Sequence, residues 1–498
     1  MRSGGVARRG RSPAVVALLL VLLGGIGFDV DDGTPPGDHS DTIRPASPPG
    51  APLERLWSSA ARPPPAPGAD VVYPESAGWI WERTLVMGAV GSGVTAYDLR
   101  TGDAARLPVP TVGATMCAMS SGIAGTVGVV LWSSPGPHGT CDLLTAYDLR
   151  TRAEAWTRRV PALPRWAAVG TPIVLADGVV AMGAAADADT GTGARRSTVA
   201  AYDLADGSAR WSYAVPAHDA GSGSDRTWVQ SLASGPSGLL VGSSASSGRE
   251  ESSYAARLDP RTGAVRWSRR VMGGGTGDGG LFTIVSADPP VLIAHMRTSE
   301  EGAPRILVLD DLGRITRRIP PEGPWGSLAL PYRAGDDRGP RSSGMRVADG
   351  VLYAPARAGA YTERDRHLPV RMVALDLDTG RARWVGDSPG SDRMFDVMLM
   401  AGIDEDYVYT VVGDSGHDAS GAGHPRPGPH GFTLERRDRH RAGRVQTIGS
   451  APRADPGTIQ PSTLVERRGD VVVLIPRAHD AGPPAVYGAP PIDPPPPG

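Results

Sequence analysis

The chain contains no lysine and no asparagine, and only two of its residues are cysteine. Every one of its 51 cationic side chains is therefore an arginine. Against 53 carboxylates they leave a formal net charge of −2, which gives no whole-chain electrostatic basis for binding nucleic acid. The lack of asparagine removes the usual amide ligand for a hard cation and leaves only Gln230, Gln446 and Gln460. Phenylalanine is scarce, at 4 residues against 11 tryptophans and 12 tyrosines, so most large rings carry a polar atom that needs a partner. No His-Glu-x-x-His pair and no phosphate-binding loop is present.

Long apolar runs are also rare, and the clearest is Val15 to Phe28. Arg2, Arg8, Arg9 and Arg11 precede it and Asp29, Asp31 and Asp32 follow, which is the charge order of an export signal with the N-terminus in the cytoplasm. Residues 1–28 read as a signal anchor, or alternatively as a signal peptide cleaved near Gly25-Ile26-Gly27. No cysteine lies near residue 28, so a lipoprotein is excluded. The expected location is the cell membrane, single-pass, with the body outside the cytoplasm; the alternative is secretion. In an oxidising compartment Cys117 and Cys141 are candidates for one disulfide, two separate buried thiols being the other possibility.

What is abundant is turn chemistry, with 66 glycines and 48 prolines spread through the chain. One phrase recurs: Val94 to Gly102, Leu144 to Arg152, Val199 to Gly207 and Val373 to Gly380, carrying an alternating strand into Asp-x-x-Thr/Asp-Gly, with Arg152 in the glycine's place in the second copy. Blurred copies lie at Ala255 to Gly263, Ile306 to Gly313 and Phe432 to Asp438. Asp98, Asp148, Asp203, Asp259, Asp310 and Asp376 mark a period suited to four short strands plus loops. In each turn the glycine (Gly102, Gly207, Gly263, Gly380) supplies a positive φ and the aspartate bonds the turn's own backbone. A tryptophan follows four residues after Gly207, Gly263 and Gly380, at Trp211, Trp267 and Trp384, and Trp156 holds the same place although Arg152 replaces the glycine there. Upstream hairpins such as Pro172 to Met182 and Met345 to Ala354 turn on Ala-Asp-Gly. Four-stranded units with an indole at a fixed place must bury their faces on one another, and radial stacking gives a β-propeller. The tryptophans are expected in the seams, each indole N–H bonded to a neighbouring turn.

The pattern Ala-x-Asp-x-x-Thr-Gly-x-x-x-Trp, met in full by Ala374 to Trp384 and with one departure by Ala146 to Trp156 and Ala201 to Trp211, resembles the tryptophan-docking repeat of the pyrroloquinoline-quinone-like propellers. The resemblance covers residues 79 to 476 and implies an all-β fold of seven to eight four-stranded blades. Eight is the count favoured by the chain ends. Leu53 to Trp57 reads as a tryptophan strand without its hairpin, and Thr463 to Pro476 as a strand pair without its tryptophan strand, so the two would close one blade. The expected domains are the segment 1–28, a disordered Pro-rich tether 29–52, the propeller 53–480 and a disordered Pro-rich tail 481–498.

The resemblance also raises the quinone-dependent dehydrogenases, which hold their cofactor against a disulfide of adjacent cysteines and a calcium site with an amide ligand. This chain has neither adjacent cysteines nor asparagine, so no cofactor and no catalysis are expected. His417, His424 and His430, beside Asp414 and Asp418, are weak candidates for zinc or copper in a Gly- and Pro-rich loop. Asp187 to Gly191 has a partial calcium-loop spacing and reads as a polar turn. The basic run Arg436, Arg437, Arg439, His440, Arg441 and Arg444 reads as a solvated edge, because alternation splits it between two faces. The function expected is a non-catalytic extracytoplasmic scaffold for an unidentified protein or cell-envelope component, held to the membrane by its N-terminal segment and without nucleic acid. A ligand- or metal-sensing propeller is the alternative, and a degenerate quinoprotein dehydrogenase the third.

Overall fold

The structure is a computed structural model, and it describes residues 51–58, 76–135, 140–163, 172–185, 197–216, 226–247, 250–276, 280–296, 305–328, 344–358, 370–387, 396–414, 431–440, 445–451, 464–475 and 485–488. All regular structure among them is strand, arranged in eight sheets. Blade 1 runs through Ser76–Trp81, Thr84–Ala89, Val94–Asp98 and Ala104–Arg106. Blades 2 to 7 begin with Thr115–Met119, Ile173–Ala176, Arg226–Gly235, Gly280–Ser286, Arg346–Ala348 and Asp396–Ile403. Their fourth strands are Ala153–Leu163, Ala209–Ala214, Val265–Thr276, Ile315–Ile319, Ala382–Asp387 and Val445–Ala451. Within each blade, successive strands pair antiparallel, and the first strands of most neighbouring blades touch one another, which places them around the axis.

The seams account for the fold's stability. Among the described residues, eight clusters of buried apolar side chains each draw on two neighbouring blades. One joins Val129, Leu131 and Leu144 of blade 2 to Ile173, Val180 and Met182 of blade 3. Another packs Val471, Val473 and Ile475 against Ile80, Leu85 and Leu99, so the last blade meets the first and the ring is closed. A sheet with both faces covered by other sheets needs no polar outer face, and that is why runs such as Val471–Ile475 are apolar throughout.

The eighth blade is assembled from both chain ends. Leu464–Arg468 and Val471–Ile475 form its inner pair, and Glu54–Ser58 forms its outer strand. Between them lies Ala485–Gly488, pairing Val471 with Gly488 on one side and Ser58 with Ala485 on the other. The expected disordered tail from residue 481 is therefore wrong at Ala485–Gly488, because those residues supply the backbone partners without which Glu54–Ser58 could not join the sheet. The expected tether is likewise too long by two residues: Ala51–Pro52 pairs parallel with Val445–Ala451 of blade 7, and Leu53 N–H bonds Ser450 O at 2.8 Å. Residues 1–50, including the apolar segment, lie outside the described residues.

Blade 6 departs from the plain pattern. A small hairpin, Glu322–Gly323 with Gly326–Leu328, adds to Val351–Arg357 beside Arg346–Ala348. Trp325 of that hairpin is buried in the seam between blades 5 and 6.

Candidate functional site

Antiparallel order divides the propeller into two ends. Connections from first to second strand and from third to fourth share the turn end; the others emerge at the loop end. The turn end carries the repeated aspartate. Asp98 Oδ1 accepts the N–H groups of Arg100 and Thr101 at 2.8 and 3.0 Å, and Gly102 N–H bonds Asp98 O at 2.9 Å. Asp259 and Asp376 repeat this with Thr262 and Thr379 at 3.0 and 2.8 Å. Gly102, Gly207, Gly263 and Gly380 have φ between 72° and 76°, and Arg152, which replaces the glycine after Asp148, adopts 55°.

Each indole leans on the turn of the following blade. Trp156 Nε1 donates to Leu204 O at 2.8 Å, Trp211 to Pro260 O at 2.9 Å and Trp384 to Arg439 O at 3.2 Å. In all three the acceptor follows the turn aspartate. Trp57 makes the same bond to Leu99 O at 3.0 Å, so the closing strand docks as an ordinary repeat does. Trp267 packs against Gly313, where an added Cβ would come within 2.4 Å of its ring, but its Nε1 has no partner among the described residues. Blade 5 has Arg317 at the indole's place, and its guanidinium donates to Asp378 O in the next turn. Blade 1 uses Trp79 of its first strand instead, bonded to Ser120 O at 2.8 Å.

The same end is laced by charge pairs. Within blades, Arg210 bonds Asp203, Arg266 bonds Asp259 at 3.0 Å and Arg383 bonds Asp376 at 2.7 Å. The arginine sits seven residues after the aspartate, just before the tryptophan, a spacing that sequence reading passed over. Between blades, Arg100 reaches Asp470, Arg261 reaches Asp177 at 3.9 Å and Arg439 reaches Asp349 at 2.5 Å. Each of these links joins the aspartate turn of one blade to the first hairpin of the blade before it. The Thr379 N–H and Arg383 hold the Asp376 carboxyl down at about 2. Asp259 is lowered mainly by Arg266, and Asp98 mainly by the Thr101 N–H.

The loop end is pinned at blade 2. Cys117 and Cys141 form a disulfide with Cα atoms 6.2 Å apart, tying the bulged first strand to the start of the third. Both cysteines are fully buried. The bridge spans 24 positions inside one blade and is not one of adjacent cysteines. Beside it, the connection 107–114 presents Val109 and Val112, exposed by 42% and 90%.

Two members of the basic run, Arg436 and Arg437, are buried rather than solvated, while His440 is exposed and Arg441 and Arg444 lie outside the described residues. Arg437 is fully buried, pairs with buried Glu435 at 2.9 Å and donates to Gly386 O and Asp387 O of blade 6. Burial pulls its guanidinium pKa down, opposed by Glu435. Arg436 points the other way, into the seam with blade 8. Alternation does divide the run between two faces, but in a propeller both faces of an inner strand are covered. His417, His424 and His430, and Asp187 to Gly191, lie outside the described residues. Among the described residues, no group of three His, Cys, Asp or Glu side chains is gathered to hold a metal ion.

No protein-family model and no curated protein matches this sequence. Among solved structures, the chain is similar to a computationally designed protein, Ika8, at 14% identity, covering 87% of this chain and 99% of that one with a TM-score of 0.48. It is also similar to the quinohemoprotein alcohol dehydrogenase from Comamonas testosteroni, at 13% identity over 88% of this chain and 76% of that one, TM-score 0.49. A europium-containing methanol dehydrogenase shares 12% identity over 88% of this chain and 93% of that one, TM-score 0.42.

Proposed function

We propose that this chain is a non-catalytic propeller displayed outside the cytoplasm, held to the membrane by residues 1–28, that binds a protein or cell-envelope partner through its loop end. The observation that supports this reading is the inequality of the two ends. At the turn end no connection between strands exceeds the seven residues 120–126, and turn aspartates such as Asp259 and Asp376 are paired with arginines of the same blade. The connections of the other end include 186–196, 358–369, 415–431 and 452–463. Length and sequence freedom thus accumulate on one face of a rigid ring, the arrangement in which recognition loops are carried by scaffolds. No quinone or metal enters this reading.

Two exposed apolar positions allow a matched test. A photo-crosslinking residue replaces Val112 at the loop end or Leu312 at the turn end, exposed by 90% and 56%, in chains expressed in intact cells. Adducts formed through position 112 and not through 312 are expected. Adducts equally through both, or through neither, overturn the loop-end reading, and quinone-dependent turnover by the purified chain overturns the non-catalytic one. The mass of the mature N-terminus checks the anchor: a chain beginning near Phe28 means that the segment is cleaved.

A further inference from the structure

Two residues before the turn aspartate, the third strand carries a residue that is buried in the seam with the following blade or beside it. It is Ala96, Ala146, Ala201, Val308 or Ala374 in five blades, and all are buried. Blades 4 and 7 place an arginine there, Arg257 and Arg436, exposed by only 2% and 6%. A cation exchanged for a methyl in a packed seam needs an anionic partner.

Blade 4 shows what that partner is. Arg257 Nη1 donates to Asp288 Oδ1 at 2.9 Å, and its Nη2 donates to Ala287 O. Asp288 belongs to the first hairpin of blade 5, so the carboxylate comes from across the seam. Its other oxygen accepts the Ser237 N–H at 2.8 Å.

The seam between blades 7 and 8 repeats the approach with the opposite sign. Where blade 5 leads into its hairpin with Ala287 and Asp288, blade 8 leads in with Arg467 and Arg468. Arg436 lies 4.6 Å over the Tyr407 ring, Arg467 lies 4.2 Å over the Tyr409 ring, and the two rings are 6.4 Å apart. Arg436 Nε donates to Gln446 Oε1 at 2.8 Å; Gln446 pairs across the strands with Arg436 where Trp384 pairs with Ala374 in blade 6. Arg436 Nη1 and Arg467 Nε are buried with no hydrogen-bond partner among the described residues. Two of the nearby carboxylates are engaged elsewhere. Asp404 accepts the Tyr409 hydroxyl at 2.6 Å and the N–H groups of Asp406 and Tyr407, and Glu466 pairs with Arg468 at 2.6 Å.

We propose that the turn end of the seam between blades 7 and 8 is a binding site for a small carboxylate, held between Arg436 and Arg467 beside the rings of Tyr407 and Tyr409. The ligand's carboxylate takes the part that Asp288 plays for Arg257. A planar two-oxygen anion matches the forked donors of guanidinium, and stacking on the tyrosines keeps both forks oriented. Arg436 is the deep contact and half-buried Arg467 the solvent-side one. The carboxylate has two possible sources, a free small acid or the C-terminus of a peptide.

The full chain is titrated calorimetrically with sodium acetate at fixed ionic strength, a bulky sulfonate making up the balance. Saturable binding is expected, weakened at least about tenfold by Arg467→Met, the loss of one charge-assisted contact. Arg436→Met abolishes it, while Arg266→Met, which removes an exposed turn pair in blade 4, leaves it unchanged. Absence of saturable acetate binding, or binding that survives Arg467→Met undiminished, overturns the proposal. The Arg467 variant decides the matter even if the Arg436 variant does not fold. A tripeptide with a free C-terminus and its C-terminal amide separate the sources: tighter binding of the free peptide than of acetate, lost in the amide, assigns the site to a peptide end, and equal binding of acetate and peptide assigns it to a free acid.

Discussion

Trp211 of blade 3 donates its indole N–H to Pro260 O of blade 4 at 2.9 Å, and its ring occupies the space that a side chain at Gly263 would need. A Cβ on Gly263 would come within 2.6 Å of the indole, while one on Gly178, in the first hairpin of blade 3, meets nothing within 4 Å. The two glycines have nearly equal φ, 72° and 77°, so alanine strains the backbone alike at both, by about 1–2 kcal/mol. Only Gly263→Ala also disturbs a packed seam, which adds about 1–3 kcal/mol. Urea denaturation of the two variants is expected to show that difference. Equal losses would mean that the turn glycine serves the turn alone.

The disulfide closes a loop of 24 positions at the loop end of blade 2. In the chain-entropy account a loop of that length contributes roughly 3 kcal/mol through the unfolded state. Replacing Cys117 and Cys141 together by alanine is therefore expected to lower the unfolding midpoint in urea, and reductant is expected to lower it in the parent chain but not in the variant.

The repeat was legible because its parts are local: aspartate, glycine and tryptophan fall within eleven residues, and a turn's chemistry does not depend on what packs against it. The eighth blade was legible by halves. Leu53 to Trp57 carries an indole in register, and that indole does bond Leu99 O. Ala485–Gly488 carried no such sign, since four residues among prolines become a strand only because two partners wait on either side. Arg436 and Arg437 were misjudged for a different reason. Alternation assigns neighbouring side chains to opposite faces but does not say that both faces are covered. The links Arg439 to Asp349 and Arg261 to Asp177 join distant parts of the chain, and no spacing announces them.

Closure by both chain ends makes each end necessary to the other. Deleting residues through 58 strips the outer strand from blade 8 and removes Trp57 from its turn; ending the chain at 480 removes Ala485–Gly488 and leaves Glu54–Ser58 without a partner strand. Either truncation exposes a sheet edge. Both variants are expected to unfold at lower temperature than the parent and to self-associate in size-exclusion chromatography, to similar extents. A monomeric, undiminished truncation at 480 would show that the eighth blade closes without its third strand.

The turn aspartates set the behaviour in acid. Asp376 ionises at about 2 in the folded chain, below its ordinary 3.8, and Asp98, Asp203, Asp259 and Asp310 are lowered too. A depressed folded-state value means that the stabilisation is complete above about pH 4 and is lost as pH falls toward 2. Stability measured by thermal unfolding is expected to be flat with respect to these groups near neutrality and to fall steeply through that window. Asp376→Asn should lower the plateau and make the fall shallower. An unchanged slope would place the acid sensitivity elsewhere.

Glu435 and Arg437 form an ion pair that is almost wholly withdrawn from water, at 1% and 0% exposure. Removing one partner leaves the other charge in a medium that cannot solvate it, whereas removing both restores an ordinary apolar seam. Arg437→Met is expected to cost about 3–5 kcal/mol, since Glu435 stays behind and the carbonyls of Gly386 and Asp387 lose their donor. Adding Glu435→Gln should return a large part of that loss, because a neutral amide tolerates burial better than a carboxylate does. A double-mutant cycle by urea denaturation measures the coupling directly. If the double variant is as unstable as Arg437→Met alone, the guanidinium matters for its bonds to blade 6 and not for neutralising Glu435.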